Sequence, residues 1–216
     1  MPIVWVCRVD AEAYAAAGRD VEVPRPNCPC CRRPMWFWGW DWRFGRRPGV
    51  RIWVRRAYCP RCELSRTLLP SFLLERRLDP VSVIGAALAA MANGQGMRPV
   101  ASAFGVPHET VRGWRGRYRA RAPTLVAGFV ALTVGLGAVV TELSGEPERA
   151  GLEALAMAWT QARRRLGERV VGLFEFASLV SGGELLSTNT SPPWAGLGGA
   201  ALMPPVPVSP SQRSSS

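Results

Sequence analysis

Lysine is absent from all 216 residues, and histidine occurs once, at His108. One imidazole cannot support the paired Ser–His or Cys–His arrangements of nucleophilic catalysis unless it sits at the reacting centre. Aspartate is scarce as well: Asp10, Asp20, Asp41 and Asp79 are the complete set, and none follows Asp79. No glycine-rich phosphate loop and no Gly-x-Ser-x-Gly elbow appears. These absences argue against an enzyme. The N-terminus, Met-Pro-Ile-Val-Trp-Val-Cys, lacks a charged start followed by a sustained apolar run, so no secretory signal is expected and a cytoplasmic chain is.

What is present is arginine, unevenly placed. Residues 1 to 122 hold 21 Arg against 9 Asp and Glu, a net +12, whereas residues 123 to 216 hold 6 against 7, a net −1. A positive field confined to one part of a chain suits a surface that neutralises phosphates.

Cysteine is concentrated too. Cys28-Pro-Cys-Cys31 and Cys59-Pro-Arg-Cys62 each let two thiolates converge on one ion from a tight turn, and two such turns complete a tetrahedral shell. In a reducing compartment this spacing favours metal ligation over disulfides. Cys28, Cys31, Cys59 and Cys62 are therefore the expected ligands of one structural Zn²⁺, with Cys30 the alternative to Cys31 and Cys7 a spare. A site of four thiolates leaves no open coordination position, so the ion is expected to build structure rather than catalyse.

Between the pairs, Met35 to Trp42 and Arg51 to Tyr58 read as two strands around the turn at 44 to 49. Strict alternation would set Trp36, Trp38, Trp40 and Trp42 on one side of the first strand. These rings read first as the core of a small sheet. The alternative is an aromatic face interleaved with Arg43, Arg46, Arg47 and Arg51 that stacks on bases.

Helical signals begin at Asp79-Pro80, with Asp able to cap and Pro suited to the first turn. Val81, Ile84, Leu88 and Met91 then recur at helical steps until Asn93-Gly94. Arg98-Pro99 opens a short helix ended by Gly105, and Pro107 opens another that is expected to stop near Arg121, before Pro123. The run from Ala101 to Trp114 has the form AxxxGVxxxxVxxW, with small, turning and apolar residues where a helix-turn-helix needs them. Val100, Phe104, Val106, Val111, Trp114 and Tyr118 form the expected inward face. The DNA-binding set is then His108, Glu109, Thr110, Arg112, Arg115, Arg117, Arg119 and Arg121. His108, Glu109 and Arg112 are candidates for base edges, and the last four arginines for phosphates.

Residues 124 to 141 carry no charge, but Leu125, Phe129, Leu132, Leu136, Val139 and Leu143 make one stripe, which favours a packed or dimerising helix over a membrane span. Further helices are expected over about 148 to 166 and 168 to 180, and the Pro/Ser/Gly-rich end from Ser187 is expected to be unstructured. The class is α+β: an N-terminal decoration (1–27), a zinc-ribbon hairpin module (28–70), a helix-turn-helix domain (79–122), a helical packing or dimerisation segment (124–182) and a tail (187–216).

With these motifs in hand, the chain resembles the zinc-ribbon and helix-turn-helix half of insertion-element transposases. It is similar, over about residues 25 to 190, to an uncharacterised family that shares CPxC, a VRRA strand before a second CxxC, LPSFLLxRR and TVRGW. Glu63 departs from the glycine usual after a second ribbon knuckle. The resemblance implies a nucleoid-associated accessory or regulator of a mobile element, binding double-stranded DNA, with a transposase or integrase as a possible partner, and the stripe from Leu125 leaves a homodimer as a possible state. A non-catalytic subunit of a split transposase is the alternative, and a membrane-tethered regulator a more remote one. A full transposase would need a core with three metal-binding carboxylates after the helix-turn-helix, where only helices and a tail are expected.

Overall fold

The computed structural model describes residues 2–46 and 50–186. The turn residue Arg47 and the tail from Ser187 lie outside the described residues. Strands occupy the N-terminal part and helices dominate the rest, a mixed α and β architecture with four strands and six α-helices among the described residues.

The strands are β1 (Ile3–Trp5), β2 (Trp36–Phe44), β3 (Arg51–Cys59) and β4 (Leu64–Pro70), in spatial order β1-β4-β3-β2. β2, β3 and β4 form an antiparallel meander, and β1 joins β4 in parallel, with Ile3 opposite Leu68. The expected N-terminal decoration thus contributes a strand. It also contributes a helix, α1 (Ala11–Ala17), because the Asp10 carboxylate accepts from the N–H groups of Glu12 and Ala13 at 2.9 and 2.8 Å. α1 delivers Tyr14 into the sheet, fully buried, edge-on to Phe72 and donating its hydroxyl to the Trp53 carbonyl at 2.8 Å. Burial holds that phenol well above its ordinary pKa.

The segment Leu68-Leu-Pro-Ser-Phe-Leu-Leu74 links sheet to helices and is buried throughout. Ser71 accepts from the Cys7 N–H at 3.1 Å, and the Leu73 carbonyl accepts from Ser178 at 2.7 Å. So the connection is packed on both sides, and Cys7, expected as a spare, is a core residue beside Tyr14 and Phe72.

The helices are α2 (Val81–Ala92), α3 (Met97–Ala103), α4 (His108–Gly135), α5 (Pro147–Leu166) and α6 (Leu173–Val180), with a 3₁₀ turn at Gly167–Arg169 before α6. α2 buries Val81, Ile84, Leu88 and Met91, the expected stripe. Its start is different from expectation. Pro80 is the cap, and the buried Asp79 carboxylate instead takes a two-pronged hydrogen bond from Arg46, with Nη2 to Oδ2 at 2.6 Å. That pair ties the β2–β3 turn to the start of α2.

α4 overturns the expected break at Pro123. It is one helix of 28 residues with Pro123 inside it. Proline removes one N–H and crowds the preceding turn, but Ala122, Leu125 and Phe129 are all buried, and their packing carries the helix across. The expected stripe from Leu125 ends where α4 does, since Val139 is 91% exposed. α5 meets α4 along Ala150, Gly151, Ala154, Ala158 and Ala162, all buried, and this small-residue seam lets the two backbones approach. A Cβ at Gly151 would stand 2.5 Å from the Tyr118 hydroxyl. Among the described residues, no helix is long and apolar enough to cross a membrane.

Candidate metal centre and basic helix

Each cysteine pair sits on a chain reversal. Cys59 ends β3 and lies opposite Leu64, the first residue of β4, so the second pair occupies the β3–β4 turn itself. The first pair lies within a loop closed by the Asn27–Pro34 bridge, where the Cys28 N–H donates to Arg33 O at 2.8 Å and the Arg32 N–H to Cys28 O at 2.9 Å. The residue after each pair has a left-handed backbone: Arg32 at φ 60° and Glu63 at φ 54°. Side chains rarely adopt that region, which explains why glycine is usual there. Glu63 therefore makes the turn in place of a glycine.

The Sγ atoms of Cys28, Cys31, Cys59 and Cys62 all lie within 4.8 Å of one another, and Cys31 and Cys59 approach to 3.5 Å. A tetrahedral shell with bonds of about 2.3 Å has sulfur–sulfur edges of about 3.8 Å. Four soft donors at that spacing fit a metal ion and are compatible with a structural zinc. Cys31 is in the converging group, and Cys30, the alternative, is exposed and is not among the four.

Electrostatics follow the same two-fold pattern. Backbone N–H groups of Cys31 and then Cys30 point at the Cys28 sulfur, and those of Cys62 and Arg61 at the Cys59 sulfur. For Cys28 the N–H of Cys31 outweighs burial and lowers the thiol to about 6. For Cys59 burial wins and raises the thiol, while Cys62 is raised first by its bond with Cys31. A divalent ion at the centre is what would let the raised thiols of Cys59 and Cys62 ionise.

α3 and α4 meet at a tight corner. Gly105 has φ 62°, and the Val106 N–H returns to the Ala101 carbonyl at 3.0 Å. Val100, Ala101, Val106, Val111, Trp114 and Tyr118 are buried, and Phe104 packs partly against them. Opposite them, Glu109 and Arg112 are exposed and His108 and Thr110 half-buried. Glu109 accepts from Arg112 at 2.6 Å and lies 3.5 Å from His108 Nδ1.

The four more distal arginines are not equivalent. Glu148, on the first turn of α5, accepts from Arg115 at 3.1 Å and holds Arg119 at 3.8 Å. Arg117 folds back over Gly113, with its Nη2 3.1 Å from where a Cβ would stand. Arg121 is 6% exposed and lies beside the buried Glu184, whose charge offsets the cost of that burial. Arg121 is therefore a core residue and is withdrawn from the phosphate-contacting set. The helical period places it on the inward face with Tyr118, Ala122 and Leu125, a signal that was available in the spacing. Glu148 was not foreseeable, because its pairing depends on how α5 returns across α4.

The tryptophans of β2 also depart from expectation. A bulge between Phe37 and Gly39 shifts the register: Trp36 stands opposite Tyr58 and Trp40 opposite Arg55. Those partners differ in parity, so Trp36 and Trp40 fall on opposite faces. Trp36 and Trp38 are 60% and 69% exposed, which rules out the core reading for them.

No family model, curated protein or solved structure matches this chain.

Proposed function

We propose that this chain is a non-enzymatic, zinc-stabilised protein that reads duplex DNA through the helix-turn-helix formed by α3 and α4, as an accessory or regulator of a mobile element. The observation that carries this reading is the corner at Gly105. It buries one face of α4 completely and leaves the first turns of that helix, with His108, Glu109, Thr110 and Arg112, outside the core. A recognition helix presents those turns to the major groove. Arg112 has the reach to fork onto guanine O6 and N7 once it releases Glu109. Arg119, exposed and only loosely held by Glu148, suits a backbone phosphate. The net +12 on residues 1 to 122 supplies the field that draws the duplex in.

In this reading Cys28, Cys31, Cys59 and Cys62 hold one Zn²⁺. Its contribution is structural: a fourfold thiolate cage joining the loop before β2 to the β3–β4 turn.

Selection of duplexes from a random library by the metal-loaded full chain, followed by anisotropy titration over a salt series, tests the proposal. The expected result is an enriched site whose affinity falls with salt, Arg112→Ala relaxing the sequence preference and Arg119→Ala reducing the log–log slope by about one. No enrichment and no duplex binding at low salt would overturn it.

A further inference from the structure

Nine large apolar side chains are exposed among the described residues, and five of them, Trp36, Phe37, Trp38, Trp42 and Phe44, belong to β2. β2 is one of the two edge strands of the sheet. Exposed rings concentrated on one edge strand, on both of its faces, mark a binding surface on an otherwise well-packed molecule.

The chemistry of the patch restricts what binds. Register sets Trp40 opposite Arg55, Trp42 opposite Trp53 and Phe44 opposite Arg51, so these side chains share a face. The Arg55 guanidinium lies 4.7 Å from the ring centres of both Phe37 and Trp40, and Arg51 lies 5.2 Å from that of Trp42. On the other side, Arg25 covers Trp36 at 4.3 Å, and the bulged Trp38 leans on Tyr58 at 5.7 Å. Together β2 and β3 carry four arginines against one aspartate, Asp41, whose Oδ1 accepts from the Trp42 N–H at 2.8 Å.

Exposed rings beside cations are complementary to unstacked bases and their phosphates. They are poorly matched to a second copy of the same hairpin, because the arginines of the two copies would oppose each other. The bulge at Trp38 also interrupts the flat edge that strand addition requires. We propose that the β2–β3 hairpin is a stacking platform for unpaired single-stranded DNA, with bases against the exposed rings of β2 and phosphates toward Arg25, Arg51 and Arg55. The choice of DNA over RNA rests on the duplex-DNA reading of α4; the single-strand surface itself is separate from that helix.

The test is anisotropy of a fluorescein-labelled oligothymidylate of about 12 nucleotides with the zinc-loaded full chain, alongside a duplex and an oligouridylate. Wild type is expected to bind the oligothymidylate at low salt. Trp38→Ala and Trp42→Ala should each weaken it about 10-fold, with zinc content, melting temperature and duplex affinity unchanged, since both rings are exposed. Trp38→Phe should retain most of the affinity. Absence of saturable binding, equal binding by Trp38→Ala, or tighter binding of the oligouridylate would each overturn the proposal. So would a concentration-dependent dimer that Trp38→Ala abolishes without any effect on nucleic acid. Single-strand binding lost while duplex binding stands defeats this inference alone, and the reverse defeats only the reading of α4.

Discussion

The sheet and the helices solve the problem of stability by different means. The helices share one continuous core in which Trp114, Tyr118, Leu125 and Phe129 of α4 meet the alanine seam of α5 and the inner faces of α2 and α6. The sheet has two small clusters instead, one around Tyr14 and Phe72 and one around Met35, Leu68 and the buried cysteines. It spends its largest rings on the surface. A sheet that exposes its aromatics must be held by something else, and the four-cysteine cluster lies where a metal would hold it.

Removing the metal should therefore break the comparison most sharply. Chelation, or Cys59→Ser, is expected to cost on the order of 10 kcal/mol in the sheet while helical circular dichroism is largely retained; loss of both together would show that the two regions fold as one unit. Acid works in the same direction. Ligation needs thiolates, and burial raises the Cys59 thiol, so protons compete with the metal and its affinity falls as pH falls. Zinc release followed against pH with a colorimetric chelator measures this.

A smaller effect is expected inside the helical core. A Cβ at Gly85 of α2 would collide with the Phe174 ring of α6, so Gly85→Ala should destabilise by about 2 kcal/mol in urea melts, leaving metal content unchanged. Asp79→Asn tests the joint between the regions. It weakens the two-pronged bond from Arg46, and a loss of about 1.5 kcal/mol is expected, with the sheet and helix transitions separating if the joint couples them. The smallest change should be a gain: Pro123→Ala restores a helical N–H at an exposed position of α4 and should stabilise by about 1 kcal/mol, read as a raised melting temperature.

Much of the fold is legible wherever local chemistry decides. The CxxC spacing names two thiol pairs because a short turn sets the convergence within each, while the meeting of the pairs belongs to the sheet. The steps between Val111, Trp114 and Tyr118, and between Val81, Ile84, Leu88 and Met91, name the buried faces because helix geometry repeats without outside help. Legibility ends where a distant segment changes the outcome. Strict alternation assigned four tryptophans to one face, and a single bulged residue split them. Pro123 is a sound local reason to end a helix, and packing against α5 overrides it.

The sequence by itself determined the two close cysteine pairs and the amphipathic stripes, because each depends on residues within a few positions of one another. Only the tertiary structure decided which basic side chains remain available. Arg121 is enclosed, Arg115 and Arg119 answer to Glu148 across the α4–α5 seam, and Arg112 stays at the surface. Charge is written in the sequence, but exposure and pairing depend on which elements return to cover it.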